Sequence, residues 1–250
     1  LARWGEAIVE AAAGRVAAVK PQVGLFERHG PGGMAALQKV LNAANSSGLL
    51  TIADAKRGDI GSTAEGYAAA YLEPGAPFEA DAVTVNPYMG LDTLEPFLKR
   101  AETHGKGVVV LARTSNPGSA DFQALTLNGA PLFEHVVRGL SPAIDRLVCD
   151  SGFSSLMLVA GATGPDEARA LRALAPTALF LVPGYGAQGA GARDAVAGFT
   201  DGQGGLVNAS RSVTFPQGAE AAETRAAWTD CVTAAIDAAQ ADLKAALATG

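Results

Sequence analysis

The sequence predicts an α/β fold of the (β/α)8 TIM-barrel type, and three observations predict it. Seven short apolar, β-branched runs end in polar or Gly/Pro residues. Ala-rich amphipathic segments alternate with them, as βαβ units around a parallel sheet require. The length, 250 residues, is one at which such barrels form a single unit. No repeat, low-complexity linker or charge run divides the chain, so residues 1–250 are expected to form one domain.

The elements follow in order. Residues 1–13 read as a helix. The first strand run is 15–23 (RVAAVKPQV), with a helix at 33–42, and the second is 49–56 (LLTIADAK), with a helix at 63–72. Residues 82–87 (AVTVNP) and 107–114 (GVVVLART) come next, followed by helices at 91–103 and 132–147. The last three runs are 156–163 (LMLVAGAT), 178–184 (ALFLVPG) and 204–211 (GGLVNASR). Helices at 165–174, 193–198 and 219–246 accompany them. Seven strands are one fewer than a closed barrel needs. Either the first strand is missing from the sequence given, or the fold is an open doubly wound sheet.

Hydrophobic residues make up 48% of the chain and charged residues 18%, enough for a sizeable core. The apolar runs are far shorter than the ~20 residues of a membrane helix. With 19 Lys+Arg against 25 Asp+Glu the net charge is −6, which disfavours a nucleic-acid partner. Cys149 and Cys231 lie far apart without CxxC or Cys/His company, which fits reduced thiols and the cytoplasm rather than a disulfide framework or a zinc site. His29, His104 and His135 fall away from every motif and are assigned no chemistry.

The most informative segment is TIADAKRGDIGST, residues 51–63, where an apolar strand ends in charge. Side chains alternate along a strand, so Asp54 and Lys56 share a face, and at the C-terminal end of a barrel strand that face is the active-site mouth. Asp59 lies beyond, in the βα loop. Lys20, near the end of the first strand run, looks into the same mouth. Carboxylates bracketing Lys56 favour an ammonium that acts as an acid, not a Schiff-base amine. Taken alone, a D-x-K is as well explained by an ion pair capping a strand.

Gly184-Tyr-Gly186-Ala-Gln188-Gly189 follows the sixth run, but the acid that a dinucleotide site needs is missing at the required strand end. In a barrel, loops after the last two strands form phosphate sites, and Arg211 ends the next run. Backbone N–H groups, the Gln188 amide and the Arg211 guanidinium are expected to hold a dianion. Asn86 (in Asn-Pro-Tyr) and Ser115 (in Thr-Ser-Asn-Pro-Gly) end two more strands. Both also suit ordinary turns.

Together these strings resemble orotidine 5′-phosphate decarboxylases, in the branch whose motifs read DAKRGDI, VKPQ and TSNPG. The resemblance runs from Arg15 to Arg211, with the motifs in the family's order. It implies a cofactor-free and metal-free decarboxylation of orotidine 5′-monophosphate to UMP in de novo pyrimidine biosynthesis. Lys20, Asp54, Lys56 and Asp59 would form the charged network, with Lys56 protonating C6. Ile60 and Thr63 would complete a neighbouring subunit's site in a homodimer. Ser115 would contact the base, and Pro183, Gln188 and Arg211 would line the pocket and hold the phosphate. The family's opening strand ends in a Gly-x-Asp-Pro-like segment whose Asp contacts the ribose, and residues 1–14 contain no counterpart. Two alternatives stand beside this reading: a Mg²⁺-dependent sugar-phosphate decarboxylase or aldolase with a D-x-K-x-x-D motif, and a non-catalytic nucleotide-binding barrel. Lys20 weighs against the first, because those relatives place an acidic metal ligand on the preceding strand.

Overall fold

The computed structural model describes residues 1–186 and 188–249. Its strands are β1 (Ala18–Val19), β2 (Leu50–Arg57), β3 (Ala82–Val85), β4 (Gly107–Arg113), β5 (Thr126–Leu127), β6 (Ala130–Pro131), β7 (Ser154–Ala160), β8 (Ala178–Val182) and β9 (Gly205–Val207). Strands β5 and β6 form a separate antiparallel hairpin. The other seven make one parallel sheet in chain order, β1-β2-β3-β4-β7-β8-β9. The helices are α1 (Ala2–Ala12), α2 (Val23–Glu27), α3 (Gly30–Ser46), α4 (Gly61–Leu72), α5 (Glu95–His104), α6 (Leu132–Arg146), α7 (Pro165–Leu174), α8 (Ala192–Ala195), α9 (Arg211–Thr214) and α10 (Arg225–Leu247).

That strand order decides between the two expected architectures. A doubly wound sheet reverses its order once, so that helices cover both faces. Here nothing reverses, and right-handed crossovers put the helices on one side. The helix side holds the large core, with Val83, Val108, Leu156 and Phe180 fully buried from the sheet and Leu37, Phe97, Leu140 and Leu171 from the helices. The other face carries its own apolar cluster of Ile52, Ala82, Val109, Met157, Val159 and Leu181, joined by Ala18, Leu111, Leu179 and Leu206. Every member lies on a strand, and all seven strands contribute. With no helix in that cluster, the sheet buries this face by curling over itself, as a barrel interior does. The edge strands β1 and β9 do not pair with each other among the described residues. Helices α1 and α10 meet on the outside through Glu10–Arg225 at 2.5 Å, and Arg15, just after α1, pairs with Asp237 on α10 at 3.5 Å.

The first strand is shorter than its apolar run because Pro21 has no N–H for the ladder. The pairing nevertheless continues, with the Asp54 N–H donating to the Pro21 carbonyl at 2.9 Å and Gln22 bridging to Asp54. The last strand stops at Val207, and Arg211 opens α9 rather than ending a strand. The predicted helix over 219–246 begins at Arg225, capped by the Thr224 side chain, and only a 3-10 turn spans Ala219–Ala221. Helix α2 and the β5–β6 hairpin have no counterpart in the sequence reading.

At the N-terminal end of the sheet Arg172 on α7 donates to the carbonyls of Gly198, Ala175, Pro176, Ala178 and Gly204 and stacks 3.9 Å from the Phe180 ring centroid. Burial without a carboxylate lowers its guanidinium to about 10. This clamp fixes the bottom of the barrel and leaves the C-terminal strand ends for chemistry.

Candidate active site

The interior apolar layer ends at Ala18, Ile52 and Ala82 on the first three strands. The next residues of the same facing are Lys20, Asp54 and Thr84, and they converge on one carboxylate. Lys20 Nζ lies 2.5 Å from Asp54 Oδ2, and Lys56 Nζ pairs with Asp54 Oδ1. Gln22 donates to Oδ2 at 3.2 Å and Thr84 Oγ1 to Oδ1 at 3.1 Å. Four donors therefore satisfy a buried Asp54. Its side chain is 8% exposed, against 15% for Lys20 and 45% for Lys56, so Lys56 is the cation that faces the open mouth. Burial alone would raise the Asp54 pKa. The Lys20 charge and hydrogen bond, with those of Lys56, outweigh it and hold the carboxyl below its usual value.

Lys56 reaches Asp54 from an irregular strand end. Its φ is +48°, a left-handed conformation that costs a residue with a Cβ roughly 1–2 kcal/mol. The β2–β3 register slips at the same point: β2 advances four residues, 53 to 57, while β3 advances two, 83 to 85. The Lys56 N–H, diverted from the ladder, donates to Thr84 Oγ1 at 2.8 Å. Thr84 thus serves both Asp54 and Lys56.

Asp59 is not drawn into this network. Its carboxylate accepts the Ile60 N–H at 2.8 Å and makes no ion pair among the described residues. Ile60 is 62% exposed, and Thr63 is exposed at the start of α4. Asn86 also stays apart: its N–H donates to the Arg57 carbonyl at 2.8 Å, and its side chain accepts the Tyr88 N–H at 3.0 Å.

Across the mouth the structure brings Ser115 and Gln188 together, in a cleft of about 520 Å³ that Arg113, Asn116 and Thr163 also line. A second cleft of about 270 Å³ shares Thr163 and Gln188 and extends to Asp194. None of the four charged residues lines either. Gly184 makes the approach possible: its φ is +106°, and a Cβ there would lie 3.1 Å from Ser115 Cβ and 3.3 Å from Gln188 Oε1. Pro183 accepts the Ala162 N–H at 2.8 Å, tying β8 to the loop that carries Thr163. Gln123 clamps Thr114 from both sides, accepting its N–H and donating to its hydroxyl, each at 2.8 Å. That fixes the residue next to Ser115.

Two N–H groups of the loop after β8 are already used. The Gly186 N–H donates to the Ala190 carbonyl and the Gly189 N–H to the Gly186 carbonyl, each at 2.9 Å, so these two groups point into the loop. Tyr185 donates to Asp242 on α10 at 2.7 Å, and burial together with that carboxylate pushes the phenol up to about 12. Gly186 packs toward Ser212, which puts the loop beside Arg211 at the start of α9. The two parts of the expected phosphate site are thus adjacent.

The sequence reading missed Gln22, Thr84 and Gln123. Thr84 left a signal, a hydroxyl at an inward position of an otherwise apolar strand. Among the described residues no group of three His, Cys, Asp or Glu side chains is arranged to hold a metal ion, and no helix is long and apolar enough to cross a membrane.

A family model described as Orotidine 5'-phosphate decarboxylase / HUMPS family matches residues 5–227. A protein named orotidine 5′-phosphate decarboxylase from Rhodopirellula baltica is 41% identical over 236 residues, 91% of this chain and 78% of that protein. One of the same name from Haloarcula marismortui is 44% identical over 231 residues, 90% of this chain and 77% of that protein. The solved OMP decarboxylase of Leishmania donovani superposes with a TM-score of 0.80 at 33% identity, over 98% of this chain and 87% of that one. The Methanocaldococcus jannaschii enzyme complexed with the inhibitor BMP gives 0.72 at 20% identity, over 97% and 94%, a likeness of fold.

Proposed function

The chain belongs to the orotidine 5′-phosphate decarboxylase / HUMPS family, and from that premise we propose how its residues carry out its activity. That activity is the decarboxylation of orotidine 5′-monophosphate to UMP and CO2 in de novo pyrimidine biosynthesis.

Loss of CO2 from C6 leaves an electron pair in an orbital orthogonal to the pyrimidine π system, where no electron sink of the pyridoxal or thiamine kind operates. Fixed charge does the work instead. The C6–carboxyl bond breaks, the pair stays on C6, and the Lys56 ammonium stabilises it and delivers a proton to C6. Lys56 then regains a proton from water. Asp54 and Lys20 hold that ammonium in place, and Asp54 faces the departing carboxylate. Ser115 contacts the base, Asn86, Pro183 and Gly184 border the pocket, and Gln188 and Arg211 receive the phosphate beside the turn at Gly186. Binding energy from that remote group helps to organise the reacting end.

The observation that carries this reading is Asp54 bracketed by two lysines at the barrel mouth. It also weighs against the Mg²⁺-dependent rival, because Lys20 occupies the interior position where a cation-binding carboxylate is needed and would repel a divalent ion. The mechanism uses neither metal nor organic cofactor. The test is the purified chain incubated with orotidine 5′-monophosphate and EDTA. Undiminished UMP formation supports the proposal; activity lost to chelator and restored by Mg²⁺ would defeat it.

We further propose that the barrel, residues 1–250 as one domain, works in the cytoplasm as a homodimer with shared sites. Asp59, Ile60 and Thr63 serve the partner's Lys56. In support, Asp59 engages neither lysine of its own chain, and Ile60, Tyr88, Met89 and Leu91 are all large hydrophobic residues left exposed. The absence of paired cysteines fits a reducing compartment.

A further inference from the structure

Resting on the reading of Lys56 as proton donor, we propose that Arg57 is a positioning residue, holding Lys56 in its working conformation from the opposite face of the sheet. Three described non-glycine residues have positive φ: Lys56, Asn128 and Asp201. Asn128 sits in the turn between β5 and β6 and Asp201 in the turn before β9, where such geometry is common. Lys56 alone adopts it inside a strand. A lysine has no local means of favouring that conformation, so the surroundings must impose it.

Arg57 supplies what is needed. Its Nη1 donates back to the Ala55 carbonyl at 3.3 Å, closing a loop of contacts around Lys56. Its Nη2 pairs with Glu27 at the end of α2 and donates to the Tyr71 hydroxyl at 3.3 Å. The guanidinium lies 5.3 Å from the Tyr67 ring centroid and 5.9 Å from that of Tyr71, both on α4. Its own carbonyl accepts the Asn86 N–H at 2.8 Å. Arg57 therefore joins the strand end bearing Lys56 to the helix that follows Lys20 and Gln22 and to the helix that carries Thr63. An ion pair with Glu27 alone would be an ordinary surface contact. The bond back across Lys56 to Ala55 is what a solvated pair does not explain. Arg57 hydrogen-bonds to none of Lys20, Asp54 and Lys56, so its influence passes through the backbone.

The test compares Arg57→Ala, Tyr71→Phe and Lys56→Ala with the wild type, measuring kcat and KM for orotidine 5′-monophosphate, Kd for UMP, and thermal unfolding. In folded Arg57→Ala, kcat should fall about 30- to 100-fold, the penalty of a displaced catalytic group, with KM and the UMP Kd within about threefold. Tyr71→Phe keeps the ring and removes one bond to Arg57, and its kcat should fall about threefold at unchanged KM. A folded Arg57→Ala with kcat within about threefold of wild type, beside an inactive Lys56→Ala, would overturn the positioning role alone. So would a loss confined to KM. If Arg57→Ala does not fold, Tyr71→Phe decides, and an unchanged kcat there overturns the proposal. Turnover retained in Lys56→Ala would remove the proton-donor reading and this inference with it.

Discussion

Lys20 Nζ stands 2.5 Å from Asp54 Oδ2 although 34 positions separate the two residues, and Lys56 holds the other oxygen of the same carboxylate. One buried acid thus fixes two cations from adjacent strands. Removing it would leave both lysines without their counter-charge, the costly way to break such a site.

The pairing predicts an acid limb in stability. Asp54 has a folded pKa below its unfolded value of about 3.9, so the unfolded chain binds more protons between the two and stability rises with pH there. Its contribution is fully present above about pH 5 and is lost as pH falls through the folded pKa. Asp54→Asn should be less stable than wild type at pH 7 by about 2 kcal/mol, allowing for the partly open site. Thermal unfolding from pH 7 down to 2.5 should show that gap closing as the wild type protonates. Parallel pH profiles for the two proteins would contradict the prediction.

Arg211→Ala should weaken UMP binding about 10- to 100-fold while changing uridine binding by less than about twofold, since one charge-assisted contact to the phosphate is at stake. Isothermal titration with both ligands checks it. Equal losses for UMP and uridine would place the phosphate elsewhere and leave the 184–189 loop a plain turn.

Shared sites predict complementation. In a mixed dimer of Lys56→Ala and Asp59→Asn chains, one site carries both lesions and the other is native, as an isologous dimer requires. Random reassortment makes about half the dimers mixed, so activity should rise from near zero toward about a quarter of wild type. Differently tagged chains establish that exchange has occurred. No recovery after exchange would mean that Asp59 acts on its own Lys56 or not at all.

Part of this site is readable from local rules. Strand alternation places Asp54 and Lys56 on one face, and the position of Lys20 at a strand end places it in the same mouth. The left-handed backbone of Lys56 is not readable, because no residue type at that position announces it. Thr84 passes as an ordinary strand residue until its inward facing is noticed. Gln123 reaches Thr114 across a turn, Pro117–Asp121, that the sequence presents only as loop. Arg57 looks like one more motif charge, for its partners Glu27 and Tyr71 are 30 and 14 positions away. In the fold, apolar runs located all seven sheet strands, but Pro21 shortened the first and the last ended early at Val207. Side-chain partners set by tertiary contact were the part that periodicity could not supply.

The most direct test of the account is turnover of orotidine 5′-monophosphate by Lys56→Ala, with folding verified by circular dichroism and UMP binding measured in parallel. If Lys56 is both the fixed charge and the proton donor, kcat should fall by at least about 10⁴-fold while UMP still binds. A folded variant that keeps turnover within about tenfold of wild type would show Lys56 to be only the cap of an ion pair, and the charged-network mechanism would be wrong.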